Sequence, residues 1–171
     1  MNAPAYDALA IIDRVIAEHH KIMNNIKLAG DSMNDIEASF LISNAYSGWT
    51  QSSAADLGNK RDHLMQAVSA LVQGLTAHFG YEEKYLPPLF GELLMKALIY
   101  EHQKARRQME IAKKSVTDLD IDHLDRQELV RQKTLVQDNI SHLMQSIEEH
   151  AGHEEIILNM IKNGLENSGG S

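Results

Sequence analysis

The chain has 171 residues and a formal net charge of −8 at pH 7, which argues against a nucleic-acid partner and against attraction to an anionic membrane surface. It contains no cysteine, so disulfides, thiolate metal sites and cysteine nucleophiles are excluded, and any metal must be held by nitrogen and oxygen. No apolar run approaches about 18 residues and no N-terminal leader is evident, so we expect a cytoplasmic protein with a single domain over 1–171.

The first predicted helix covers 4–30. Pro4 suits a helix start, apolar residues then recur at helical spacing, and Gly30 predicts a C-terminal cap. The following part of the chain is less regular. Its pattern allows a short helix at 33–46 and is typical of a connection over 47–59.

The second predicted helix runs from about residue 59 to residue 86, where the prolines at 87 and 88 stop it. The third starts near Gly91 or Glu92 and continues to about Val116. Both stretches keep apolar side chains on one face, as helices of a bundle require.

The acidic stretch at 117–125 indicates a loop, with Asp122 or Asp125 capping the helix that follows. This last helix is predicted over about 126–165, and 166–171 is predicted to be a disordered tail. No segment alternates with period two. We therefore predict an all-α, antiparallel up-and-down four-helix bundle with its core over about 5–165.

One motif, His-x-Gly-x-Glu-Glu-x-x-Leu, occurs twice, at 78–86 and again at 150–158. In a helix, residues four apart differ by about 40° in direction and about 6 Å along the axis. The first histidine and first glutamate of each motif can therefore converge on one point in the core of a bundle.

The other two helices share a different tag, "EHHK" at 18–21 and "EHQK" at 101–104. His19 and His102 both fall on the apolar stripes of their helices. In an up-and-down bundle the first and third helices are diagonal partners, as are the second and fourth, so like tags can meet around one axis.

Four inward histidines and two inward glutamates are too many ligands for one ordinary ion, and they suit two metals about 3.5–4 Å apart with bridging carboxylates. A single histidine on an apolar stripe is more often a core residue, and a single His-x-x-x-Glu is usually a solvated pair. Two buried carboxylates, however, require a partner. The joint pattern predicts a metal centre formed by His19, His78, Glu82, His102, His150 and Glu154.

Several neighbouring residues admit two readings. His20 competes with His19, although only His19 keeps the apolar register. Glu18 and Glu101 are either surface charges or hydrogen-bond partners of a neighbouring ligand. Glu83 and Glu155 are expected to lie at the surface or to contact a ligand from outside the site. The remaining histidines are expected to be peripheral, structural or loop residues: His153, His63, His142 and His123.

The pattern resembles the hemerythrin-like, or HHE cation-binding, family. The matching elements are "EHHKI", "HFGYEEKYLPP", "EHQKA" and "HAGHEE", in that order from about Ala5 to Ile161. The resemblance implies a four-helix bundle around a non-haem pair of irons with an oxo or hydroxo bridge, with zinc or manganese less expected. It also implies that the four histidines are ligands and that Glu82 and Glu154 bridge.

Two departures distinguish this chain from the oxygen-carrying members of that family. Those usually place a second histidine where this chain has Leu98, and they space the last carboxylate so that it would be Glu155. The ligand set looks more like the iron-centre repair branch, which responds to nitric oxide and oxidative stress. That branch commonly carries a cysteine-containing N-terminal segment, which is missing here.

The resemblance implies a small diatomic ligand or peroxide as the partner. An oxygen carrier or an oxygen or iron sensor is the alternative within the metal-binding class, and a metal-free helical interaction module is the alternative outside it. A ferritin-like oxidase is disfavoured because no Glu-x-x-His occurs, and a zinc hydrolase is disfavoured because "HEEII" lacks the second histidine of His-Glu-x-x-His. The pattern assigns no catalytic residue and no oligomeric state.

Overall fold

The computed structural model describes residues 3–27, 45, 57–119 and 125–168, which form four long helices. Helix α3 packs against both α2 and α4, and α1 packs against α4. The predicted four-helix bundle is confirmed, and no strand occurs in these ranges. The helices are α1 (Ala3–Lys27), α2 (Leu57–Tyr85), α3 (Pro87–Thr117) and α4 (Arg126–Ser168).

The junction between α2 and α3 is tighter than predicted. Helix α2 ends at Tyr85, but α3 begins at once, because Pro87 and Pro88 occupy first-turn positions where no backbone N–H is needed. Gly91 then interrupts the helix with φ 67° and ψ 179°. The predicted start near Gly91 therefore marks the point where the long part of α3 begins, after one proline-led turn.

Helix α4 has a side-chain cap at its start and continues beyond its predicted end. The Oδ1 atom of Asp125 accepts a hydrogen bond from the Glu128 backbone N–H at 2.9 Å. Residues 166–168 are helical, three residues past the predicted end of this helix, and the Ser168 hydroxyl donates to the Gly164 carbonyl.

Some predictions fall outside the described residues. These are the Gly30 cap, Asp122, His123, the end of the tail, and the short helix at 33–46 apart from Ala45. Ala45 itself has a helical backbone and packs against the larger part of the core.

The core consists of two apolar layers with a polar layer between them. The larger includes Leu64 to Phe79 of α2 and Ala105 to Val116 of α3. The smaller includes Ile12 and Val15 of α1, with Leu98 of α3. The residues that separate the two layers along α2, α3 and α4 are those of the two predicted motifs and the third-helix tag, so the predicted site lies inside the bundle rather than at its end.

The glycines inside the repeated motif do not serve close packing. Gly80 and Gly152 are both exposed in helix interiors, and a Cβ atom at either position would meet no atom within 4 Å. Close approach of the backbone to the polar layer therefore does not explain them. In the described part of the chain, none of the helices combines the length and apolar character needed to cross a bilayer.

Replacing Gly91 with Ala should lower the free energy of unfolding by about 1–3 kcal/mol, because its backbone conformation is one that only glycine adopts readily. The matched control is Gly152→Ala, which should raise it by about 0.5–1 kcal/mol, because this glycine is helical and unobstructed. Urea unfolding of the metal-free protein measures both. Changes of the same sign would contradict this account.

Candidate metal centre

The six predicted ligands are the buried polar side chains of the described residues. Glu82 and His102 are 0% exposed, and none of the six exceeds 5%. All four helices contribute: His19 from α1, His78 and Glu82 from α2, His102 from α3, and His150 and Glu154 from α4.

The Glu82 carboxylate divides the four histidines into two pairs. Its Oε1 atom lies 2.8 Å from Nε2 of His78 and 3.4 Å from Nε2 of His19. Its Oε2 atom lies 3.1 Å from Nε2 of His102 and 3.9 Å from Nε2 of His150. Each oxygen thus faces one pair of imidazoles, contributed by α1 and α2 on one side and by α3 and α4 on the other.

The Glu154 carboxylate lies between one histidine from each pair. Its Oε2 atom is 3.6 Å from Nε2 of His19 and 3.4 Å from Nε2 of His150. Four residues, His19, Glu82, His150 and Glu154, each offer one nitrogen or oxygen atom, and these four atoms all lie within 4.8 Å of one another. Each of the two glutamates therefore lies close to histidines from both pairs.

The donor atoms converge without satisfying one another, which is what a cation site requires. Both carboxylate oxygens of Glu82 and Glu154, and Nε2 of His102 and His150, are buried and make no hydrogen bond of acceptable geometry within the described ranges. Burying a polar group without a hydrogen-bond partner costs about 1–3 kcal/mol if the group is neutral and more if it is charged. Nitrogen and oxygen donors in this arrangement fit divalent cations of the first transition row.

The two buried glutamates have opposite electrostatics. Burial alone would raise the pKa of Glu82, but the four surrounding imidazoles, His102 foremost, hold that pKa well below its usual range. Burial raises the pKa of Glu154 to about 9, and the negative charge of Glu82 adds to the effect. Glu82 is the ionised member because it faces all four histidines, whereas Glu154 faces two.

The two histidines of the α1–α2 pair also differ. Burial disfavours the charged form of His78, but its contacts with Glu18 and Glu82 outweigh burial and raise its pKa to about 10. For His19 burial prevails over Glu82 and lowers the pKa. Their Nε2 atoms lie 3.1 Å apart, so one neutral and one charged ring is the arrangement that their proximity favours.

Carboxylates outside the buried layer orient three of the histidines. The Nδ1 atom of His78 donates to Glu18 at 2.8 Å, and Nδ1 of His150 donates to Glu101 at 3.2 Å. A hydrogen bond on Nδ1 fixes the ring and leaves Nε2 as the donor toward a metal. Glu18 and Glu101 are therefore not merely surface charges, because each accepts a hydrogen bond from a buried histidine on the next helix.

The third orienting carboxylate is Glu83, which the sequence left as a surface or outer residue. It accepts from Nδ1 of His102 at 2.8 Å and lies 2.9 Å from the guanidinium of Arg106. A matching cation holds Glu18, whose partner is Arg14 at 2.9 Å. The sequence feature that could have identified this role of Glu83 is its position directly after the inward-facing Glu82, which directs its side chain toward the neighbouring helix α3.

Apolar side chains line the polar layer on two sides. The ring of Phe79 is fully buried and stacks on His102, with centroids 4.2 Å apart and planes inclined by 16°. On the other side Leu98, one turn before His102, belongs to the smaller apolar layer. The position that would hold a further histidine in an oxygen carrier is thus filled by a buried aliphatic side chain.

The competing candidates lie at the surface. The His20 side chain is 57% exposed and donates from Nε2 to Glu155 at 2.7 Å. His153 is also exposed, with Nδ1 at 3.4 Å from Glu101. His63 and His142, expected to be structural, are exposed as well. The structure thus brings His19 and Glu154 into the buried layer, and leaves His20 and Glu155 outside it.

Comparison with known protein families agrees with this geometry. The model of the hemerythrin HHE cation-binding domain matches residues 10–161, which is most of the chain and includes all six buried residues. The chain belongs to this family. Searches of curated proteins and of solved structures gave no match. The family is a cation-binding one, and four of the buried residues, His19, Glu82, His150 and Glu154, form a group that could hold a metal ion.

Replacing Glu154 with Gln should stabilise the metal-free protein, because the folded state must keep a proton that the unfolded carboxyl releases above its ordinary pKa of 4.5. This burden grows as the pH rises from 4.5 toward the folded-state pKa of about 9. The gain should thus be small at pH 5 and reach about 1–3 kcal/mol by pH 7–8. Urea unfolding across this pH range measures it.

Glu155→Gln is the matched control, because the neighbouring carboxylate is outside the buried layer. Its effect should stay within about 1 kcal/mol and should show no gain that grows with pH, because it removes only the exposed pair with His20. A gain from Glu154→Gln that does not vary with pH, or one that the control reproduces, would contradict the assignment of a protonated Glu154.

Proposed function

We propose that this hemerythrin-family domain holds two iron ions and interacts with dioxygen, peroxide or nitric oxide. The observation that carries the proposal is the division of the four imidazoles by Glu82, with one pair facing each carboxylate oxygen. A single ion would draw the donors toward one point. Two pairs on opposite sides of one carboxylate suit two ions with that carboxylate between them.

The proposed ligands are His19 and His78 for one ion and His102 and His150 for the other, with Glu82 bridging them. The contacts of Glu154 with one histidine of each pair support a second bridge. Each ion would then have two imidazoles and two carboxylate oxygens, fewer donors than an octahedral iron takes. Imidazole and carboxylate sites with open positions are typical of non-haem iron that reacts with oxygen.

When bound, the iron pair supplies reversible exchange between ferrous and ferric states. The chain's own residues prepare the site for it. Glu82 and Glu154 neutralise positive charge inside the bundle, and the outer carboxylates hold three imidazoles in place. Phe79 and Leu98 place apolar surface against the polar layer, which helps to keep water out of it.

A role in the response to oxidative or nitrosative stress, or in iron-centre repair, follows from the same ligand set. The buried Leu98 in place of a further histidine favours it, because the site has one imidazole fewer than the oxygen carriers. An oxygen carrier or sensor is the second candidate. A metal-free interaction module is disfavoured, because within the described residues it would leave the oxygens of two buried carboxylates without a hydrogen-bond partner.

Substituting Glu82 with Ala should reduce iron content from about two ions per chain to less than one, because both histidine pairs lose their shared ligand. Metal analysis after expression with sufficient iron measures this. The control is Glu110→Ala, which removes an exposed glutamate from α3 and should leave two ions. Equal iron content in the two variants would contradict the proposed site.

Spectra of the loaded protein separate the candidate roles. Oxidation should produce near-ultraviolet charge-transfer absorption, and nitric oxide should change the spectrum of the ferrous form. Oxygen-dependent spectra that reverse without loss of iron would favour a carrier or sensor. Iron release on oxidation or on exposure to nitric oxide would favour repair.

A further inference from the structure

The sequence repeat relates the α1–α2 half of the centre to the α3–α4 half, but one hydrogen bond between a carboxylate and a histidine occurs in only one of the two halves. Residues 18–21 correspond to 101–104, and 78–83 correspond to 150–155. Under this correspondence the bond of His78 to Glu18 has its counterpart in the bond of His150 to Glu101, and both are present. The repeat thus holds for the outer contacts of the second and fourth helices.

The second pair of outer contacts breaks the symmetry. Glu83 binds Nδ1 of His102, so its counterpart Glu155 should bind Nδ1 of His19. Instead Glu155 accepts from the exposed ring of His20, and Nδ1 of His19 is buried with no hydrogen-bond partner among the described residues. Within that part of the chain, three of the four proposed ligand histidines have an orienting carboxylate, and His19 has none.

Two residues of the repeat account for the difference. At the position of His20 the third helix has Gln103, and at the position of Met23 it has Arg106, which lies 2.9 Å from Glu83. Between α2 and α3, Gln103 does not compete for the Glu83 carboxylate, and Arg106 holds that carboxylate near His102. Between α4 and α1, the imidazole of His20 binds the Glu155 carboxylate instead.

We propose that His20 withholds Glu155 from His19, and that this makes the ion between His19 and His78 the exchangeable one of the two. The proposal rests on the proposed two-iron centre. A ligand histidine without its outer partner binds metal about 10–100-fold more weakly. The opposite ion has both of its histidines oriented, by Glu83 and Glu101, and would be the retained one.

The pair of Glu155 and His20 is therefore assigned a positioning role, and neither residue is proposed to touch the metal. The consequence is a centre that holds one iron firmly and yields the other. Such a difference suits a protein that takes up or gives away ferrous iron, because donation of one ion would leave the bundle still neutralised at Glu82 by the other.

The test is release of ferrous iron from the fully loaded protein to an excess of a ferrous chelator under anaerobic conditions, followed by absorbance. The wild-type chain should first be shown to hold two ions. It should then release them in two phases of about one ion each, with rates differing by about tenfold or more. Binding of fewer than two ions would overturn the proposed function itself, whereas two ions leaving at one rate would overturn only this inference.

His20→Ala removes the competing imidazole and should slow the fast phase by about tenfold or more, because Glu155 becomes available to His19. His20→Gln changes the α1 sequence EHHK to EHQK, the sequence found in α3, and should also slow the fast phase. His20 is exposed, so the metal-free fold should be unaffected, which circular dichroism checks. Unchanged release in both variants would overturn the proposal.

Two further variants distinguish positioning from a general effect on the fold. The double variant His20→Ala with Glu155→Ala should restore the fast phase, because no carboxylate remains to orient His19. Glu83→Gln, the mirror variant, should accelerate the slow phase and leave two similar rates. Slowing that persists in the double variant would show that Glu155 has no part in it.

Discussion

The burial of two carboxylates among four imidazoles is the constraint on which this structure depends. Glu82 and Glu154 are 0% and 1% exposed, in a chain whose other buried side chains are apolar or histidine within the described ranges. Isolated charges at such depth are among the most expensive features a core can contain. The bundle tolerates them because they face the basic nitrogens of the histidines. Glu82 lies near four imidazoles and Glu154 near only two, so a bound cation would supply the positive charge that Glu154 lacks.

The repeat gives this arrangement its geometry. Identical motifs on α2 and α4 and matching tags on α1 and α3 place one histidine from each helix at the same level, between two apolar layers. A site built from diagonal partners needs no loop and no strained backbone, so its precision comes from four rigid helices. The symmetry is incomplete, and its one missing contact, at His19, makes two otherwise equivalent halves chemically different.

Much of the fold and the membership of the buried polar layer could be predicted from the sequence, because both depend on helical periodicity. Spacing of four residues puts His78 with Glu82 and His150 with Glu154 on one face, and the apolar register separates His19 from His20. The partners of the outer carboxylates could not be assigned, because whether Glu83 meets His102 depends on the rotation and height of two helices. The sequence also did not predict the helical turn at Pro87 and Pro88, because proline can follow the end of one helix or occupy the first turn of the next, and the sequence alone does not distinguish the two.

We propose that Glu82 lies between two metal ions, each facing its own pair of histidines. Anomalous diffraction at the iron absorption edge, on crystals of the iron-loaded protein, tests it most directly. The account predicts two peaks about 3.5–4 Å apart, one beside His19 and His78 and the other beside His102 and His150, with the Glu82 carboxylate between them. A single peak, or peaks away from the buried layer, would contradict it.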